Sequence, residues 1–195
     1  MADVNEEILE QYLKIVKKWF YIGDIPFKVP SNYSNIDVLG YDPTTNKYYD
    51  FEVKYRSAFS LTNIDYLVDQ FEKYKLQREG KIRECIGKKK TIKVVVTTKK
   101  MVGMSETKRS RMENTFHEKM KTNGYKSELW YFDDMIPELA KQVEVKGRYN
   151  SQFLQAIRML KLPCTIKAFT TGLPATAFKR YYKVDPILWT ENRSS

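Results

Sequence analysis

The sequence predicts an α/β fold: a mixed sheet flanked by helices, with a C-terminal extension. Three patterns carry the prediction. Apolar residues recur at helical spacing from Val4 to Tyr21, alternate with polar ones from Tyr48 to Arg56, and form a β-branched run from Thr91 to Thr97. Read in order, the elements are helix, three strands, helix, strand, helix, strand, helix, which suits an α/β sandwich.

In the first helix Ile8, Leu9, Tyr12, Ile15, Val16, Trp19 and Phe20 share one side, with charged residues on the other. Gly23 and Pro26 punctuate its exit, and Ile25 to Val29 is a short strand. A hairpin follows, Asn35 to Tyr41 and Tyr48 to Arg56, joined by Pro43-Thr44-Thr45-Asn46, which has turn composition. Thr62 or Asn63 is placed to cap a helix carrying Ile64, Leu67, Val68, Phe71 and Tyr74, running toward Arg83 despite Gly80. After the strand at Thr91 to Thr97 comes a loop at Lys99 to Met104. Ser105 caps the next helix, which ends near Asn123-Gly124. Tyr125 to Phe132 supplies a further strand, and Asp133 caps a helix to about Val143. Residues 1–145 are expected to form the main domain. Residues 146–195 form a mainly helical extension, either packed on the core or partner-binding, with Phe153, Leu154, Ile157, Leu160 and Leu162 marking one more helix.

The chemistry lies in the hairpin. Side chains alternate along a strand, so Asp50, Glu52, Lys54 and Arg56 share a face opposite Tyr49, Phe51, Val53 and Tyr55. Closing the turn so that Asp42 faces Lys47 sets Asp37 opposite Glu52. Directly opposed residues bring Cβ atoms to roughly 4.5–5.5 Å, where like charges repel. A divalent cation with Lys54 beside it would supply the missing counter-charge, whereas the plainer reading is a solvated strand face. Glu79/Lys81 and Glu144/Lys146 repeat the Glu-x-Lys spacing, but neither has an Asp in cross-strand register.

Asp37 followed by Glu52-Val53-Lys54 at the end of a second strand resembles the signature of the PD-(D/E)XK nuclease superfamily. The phrases Ser34-Asn35-Ile36-Asp37-Val38-Leu39 and Phe51-Glu52-Val53-Lys54 are similar to its Holliday junction resolvases and restriction endonuclease-like members. Ile36 stands where the family often has proline. The resemblance covers roughly residues 4 to 132 and implies an αβββαβ core. It also implies magnesium, replaceable by manganese, held by Asp37, Glu52 and the Val53 carbonyl, with Lys54 beside the nucleophile. A first-helix glutamate often joins such sites, which points to Glu7, with Glu6 next. Gln70 and Tyr74 match a Gln-x-x-x-Tyr motif of the superfamily's recombination exonucleases, giving Gln70 an orienting role and Tyr74 a sugar or phosphate contact. The implied activity is metal-dependent DNA hydrolysis, by an endonuclease of repair, recombination or restriction. The alternative is a non-catalytic nucleic-acid-binding protein with the same fold, and a third reading is an assembly protein with a solvated hairpin.

Composition agrees with a polyanionic partner. The 195 residues carry a formal net charge of +10 and 14% aromatics, which suits nucleic acid, although charge alone does not separate it from an anionic membrane surface. Candidate phosphate contacts are Arg56, Lys88, Lys89, Lys90, Lys99 and Lys100, and Lys179-Arg180-Tyr181-Tyr182-Lys183 interleaves cations with aromatics. No stretch approaches the roughly 18 apolar residues of a membrane span, and the acidic start lacks the basic region of a signal peptide. A cytoplasmic protein is expected. Cys85 and Cys164 form no disulfide framework or zinc pattern, and the lone His117 argues against histidine-metal nucleases and Ser-His-Asp hydrolases. No nucleotide-binding glycine fingerprint is present. Junction cutting would call for a homodimer.

Overall fold

A computed structural model describes residues 3–30, 32–55 and 64–161. The chain separates into two compact units at Gln142/Val143, slightly ahead of the expected 145/146. The first unit is α/β, with a five-stranded mixed sheet flanked by helices.

Helix α1 (Val4–Tyr12) is capped by Asp3, whose side chain accepts the Asn5 amide. It continues as a π-helical turn, Leu13–Lys17, and stops at Lys18, which adopts the left-handed conformation at φ 60°. The sequence predicts helix as far as Tyr21, but strand β1 (Phe20–Val29) begins earlier because Phe20, Tyr21 and Ile22 pair with Tyr41, Gly40 and Leu39 of β2 (Asn32–Asp42). Cross-strand pairing overrides a helical pattern that five residues can satisfy only weakly.

Strands β2 and β3 (Lys47–Val53) form the expected hairpin, with Asp42 opposite Lys47 and Val38 opposite Phe51. Asp42 stabilises the turn by accepting the Thr44 amide at 2.9 Å and the Thr45 hydroxyl at 2.6 Å. β3 then pairs in parallel with β4 (Thr91–Thr97), and β4 with β5 (Ser127–Tyr131), giving the order β1-β2-β3-β4-β5.

On one side of the sheet Tyr49 and Phe51 pack with Trp130, Trp19 and Tyr12 in a chain of aromatic contacts. α6 (Phe132–Gln142) joins this side, where Glu138 accepts the Tyr12 hydroxyl at 2.7 Å. Elsewhere Val95 packs with Leu67 and Phe71 of α2 (Asp65–Glu72), Val102 of α4 (Lys99–Val102), and Phe116 and Met120 of α5 (Glu106–Thr122). Ile82 of α3 (Lys75–Ile86) packs against Ile25, Phe27, Ile36 and Leu39. The single helix predicted after residue 63 is thus two, broken at Tyr74 (φ −133°, ψ 41°). Ser105 caps α5 as expected, whereas Asp133 lies inside α6 and accepts the Lys99 amide at 2.8 Å instead of capping. His117 of α5 is half-buried against the Ser127 hydroxyl at 2.9 Å.

In the second unit α7 (Gln152–Leu160) is capped by Ser151 and buries Leu154 and Ile157. Arg158 donates to the Gly147 carbonyl at 2.9 Å and Lys161 to that of Val143 at 2.7 Å, closing a short loop onto the helix end. The expectations for Leu162, Cys164 and Lys179 to Lys183 lie outside the described residues. Among the described residues no helix is long and apolar enough to cross a membrane.

Candidate active site

The site forms where the hairpin ladder ends. Beyond Val38 and Phe51 the strands no longer exchange backbone bonds. Asp37 Oδ2 instead accepts the Val53 amide at 2.6 Å. The N–H and C=O of one strand residue project to the same side, so the Val53 carbonyl also faces the Asp37 side. On the other edge of β3 the Lys54 amide donates to the Val96 carbonyl at 2.8 Å, which fixes the strand's exit. Lys54 Nζ lies 2.6 Å from Glu52 Oε1, so the two share a face as alternation requires.

Asp37 is the perturbed group. Burial and the Glu52 charge push its carboxyl up to about 7, against the opposing pull of the Val53 amide and Lys54. Lys54 behaves in the opposite sense: burial would lower it, but Glu52 and Asp37 outweigh that and raise it above the ordinary lysine value. It is therefore held as an ammonium.

Beneath these residues lies a buried ion-pair network. The Arg78 guanidinium reaches Asp50 with two nitrogens, at 2.6 and 3.0 Å, and Glu52 Oε2 with the third, at 2.8 Å. Its carbon sits 5.1 Å from the centroid of the Phe71 ring. Lys93 bonds Asp50 at 3.0 Å and also pairs with Glu79. Burial alone would raise the Asp50 carboxyl, but Arg78 and Lys93 hold it below its ordinary value. The solvated-face reading of β3 is thus corrected: Asp50 and Glu52 are buried, each with a matched cation. The sequence signal was present at Lys93, a charge inside a β-branched run, which a buried strand tolerates only with a partner. Its partners' identities are not readable, because Arg78 ends a stretch from Lys73 that mixes charged, polar and apolar types without a clear face.

The N-terminal glutamates divide unequally. Glu6 acts electrostatically on Asp37 and feels Lys54, whereas Glu7 acts on Glu10. Burial raises Glu6, with Asp3, Asp24 and Glu10 adding to the effect. Of Glu6 and the expected Glu7, Glu6 is the one whose charge acts on Asp37. Tyr66 of α2, which the sequence did not flag, acts on Lys54.

The Gln70 side-chain amide donates to the Tyr66 carbonyl of its own helix at 2.9 Å, and Tyr74 packs against the apolar cluster around Ile82. The break between α2 and α3 removes the continuous helical face expected to join them. Lys99 and Lys100 follow the C-terminal end of β4, the same end of the sheet as Lys54, although Lys99 is paired with Asp134. Lys88 to Lys90, expected to contact nucleic acid, precede β4 and lie at the opposite end of the sheet from the hairpin site. Arg56 falls outside the described residues. The rival Glu144 and Lys146 are exposed in the second unit, where no described strand accompanies them.

In comparisons with known proteins, the chain matches no family model, no curated protein and no solved structure. Among the described residues no three His, Cys, Asp or Glu side chains gather as a metal cage. Magnesium uses such cages rarely; it takes one or two carboxylates and completes its shell with water and substrate phosphate. Asp37, Glu52 and the Val53 carbonyl meet that description in donor type, and the raised Asp37 carboxyl is the perturbation that a nearby cation reverses.

Proposed function

We propose that the chain is a magnesium-dependent deoxyribonuclease of the PD-(D/E)XK kind, an intracellular endonuclease of repair, recombination or restriction. The observation that supports this best is the constellation at the hairpin end: a half-buried carboxyl raised to about 7 opposite a second carboxylate, with an ammonium 2.6 Å from the latter. A strand end serving only structure has no need for such a concentration of charge, and perturbed groups of this sort mark sites of chemistry.

In this reading Asp37, Glu52 and the Val53 carbonyl hold the ion, with Glu6 on the approach side. When bound, magnesium polarises a phosphate oxygen and makes coordinated water more acidic. Lys54 contributes charge, since as an ammonium it stabilises negative charge developing on the phosphate and has no vacant lone pair for taking a proton. Arg78 holds Glu52 from below and keeps its orientation fixed. Lys100, exposed at the same end of the sheet, is placed to meet phosphates of the strand.

One observation favours a second reading. Both Glu52 oxygens are already engaged, by Lys54 and Arg78, as in a protein that keeps the fold and binds DNA without cutting it.

Incubation of labelled duplex, single-stranded, flapped and four-way-junction DNA with magnesium, manganese or EDTA separates the two. Metal-dependent cleavage by the wild type, lost in Lys54→Ala and kept in Lys146→Ala, is the expected result. Binding without cleavage of any substrate would leave the second reading standing. The preferred substrate, and the protein's oligomeric state on it, would tell a junction-resolving dimer from the other roles.

A further inference from the structure

A cavity of about 700 Å³ opens at the end of the sheet opposite the hairpin site. Lys47 and Lys54 sit at the two ends of β3, so the cavity and the site lie roughly 20 Å apart along the strand. Lys47, Arg83, Lys88, Lys89, Lys90 and Lys126 line it. All six are exposed, and none has an ion-pair partner among the described residues. The lone acid in the lining, Glu79, is already paired with Lys93.

This arrangement departs from how the chain treats its other cations nearby. Lys75 pairs with Glu72, Lys81 with Glu84 and Lys119 with Asp65, all on the helices that lead to the cavity. The C-terminus of α3 explains part of the pattern, because the helix dipole favours cations beside Gly87. It does not extend to Lys47, which comes from the β2–β3 turn, or to Lys126, which comes from the approach to β5. Six uncompensated charges from four segments converge on one concavity, and a cleft of single sign focuses the field and concentrates counter-ions. The volume suits a small ligand or a few nucleotides. Tyr48, stacked on Tyr41 at 4.8 Å between centroids, adds an aromatic edge that a base can use.

We propose that this cavity is a second anion site, which takes a phosphate-ester polyanion: a stretch of nucleic-acid backbone or a small polyphosphate ester. It goes beyond the hydrolytic reading and does not depend on it. Were DNA the occupant, the strand would be held at both ends of the sheet, and the protein would grip substrate well away from the scissile phosphate.

The test is titration of the full chain in EDTA, where nothing turns over, with sodium tripolyphosphate and with a short labelled single-stranded oligodeoxynucleotide. Two triple variants of equal charge change are compared: Lys47→Glu, Lys89→Glu, Lys126→Glu at the cavity, and Lys14→Glu, Lys28→Glu, Lys141→Glu elsewhere. All six lysines are exposed, so both variants are expected to keep the fold, which their melting temperatures check. Tripolyphosphate is expected to saturate on the wild type and to weaken at least about tenfold in the cavity variant, the loss that one charged hydrogen bond implies, with a much smaller change in the other. Displacement of the oligonucleotide by tripolyphosphate would identify a nucleic-acid strand as occupant; tripolyphosphate binding without displacement would identify a small ester. Either upholds the site. Equal weakening in the two variants, or no saturable binding of either probe, would reduce the cavity to diffuse net charge and overturn the proposal. Loss of cleavage in Lys54→Ala has no bearing on this result, so the two readings fail separately.

Discussion

At the scale of single residues, Asp37 is held in a setting that disfavours its charged form and costs the folded chain stability above the ordinary carboxylate range. Its carboxyl is raised from the ordinary 3.8 to about 7, so between those values the folded chain holds a proton that the unfolded chain has released. Stability therefore falls as pH rises through that window. Asp37→Asn keeps an acceptor for the Val53 amide and removes the slope. In EDTA it is expected to melt above the wild type at pH well above 7 and to converge with it in mild acid, while losing all metal-dependent cleavage; parallel melting curves at every pH would remove the perturbed carboxyl from the account. Arg78 sets the opposite balance. Arg78→Met leaves buried Asp50 with Lys93 alone and Glu52 with Lys54 alone, and urea unfolding should show a loss of about 3–5 kcal/mol. An unchanged midpoint would mean that Lys93 and Lys54 suffice.

Elements that bury one stripe or alternate cleanly were the legible ones. β4 has the bounds its β-branched run predicts, and the β2–β3 register followed from Pro43 to Asn46 because a short turn leaves few ways to close. The illegible parts are those where tertiary contact chooses between near-equal local options. Phe20 to Ile22 can continue a helix or join a sheet, and only the partner at Leu39 to Tyr41 decides. The break at Tyr74 carries no glycine or proline to announce it. Asp37, Glu52 and Lys54 could be placed from spacing, but Arg78, Lys93 and Asp50 belong to a network assembled from three elements, invisible until α3 is laid over β3 and β4. α3 also offers a direct check on its own construction. Gly80 lies inside it, exposed, with open space where a side chain would go. Gly80→Ala should therefore stabilise the fold by roughly 0.5–1 kcal/mol in urea unfolding, since it narrows the unfolded ensemble at no steric cost. A loss instead would mean that the helix bends there.

For the whole molecule, a net charge of +10 makes salt the natural probe of function. Binding of duplex DNA should weaken linearly on a log–log plot as salt rises, with a slope near −0.9 for each phosphate neutralised. A flat response would argue against any nucleic-acid partner, whichever end of the sheet is considered. Catalysis at saturating DNA, by contrast, is expected to change far less with salt, because the buried pairs around Glu52 are poorly screened.

The three antiparallel strands from Phe20 to Val53 pair with one another across short connections, whereas β4 must cross back over α2 and α3 before it can pair with β3. Short-range pairings close at lower entropic cost than long-range ones. On that ground the hairpin is expected to set its two carboxylates face to face before α3 delivers Arg78 or β4 delivers Lys93. A meander closed ahead of α3 and β4 would be acidic at the end that carries Asp37 and Glu52, with solvent cations or protons as the natural partners of those carboxylates. Closing the hairpin at this end works against the repulsion of the same two carboxylates that the finished fold sets beside Lys54 and Arg78.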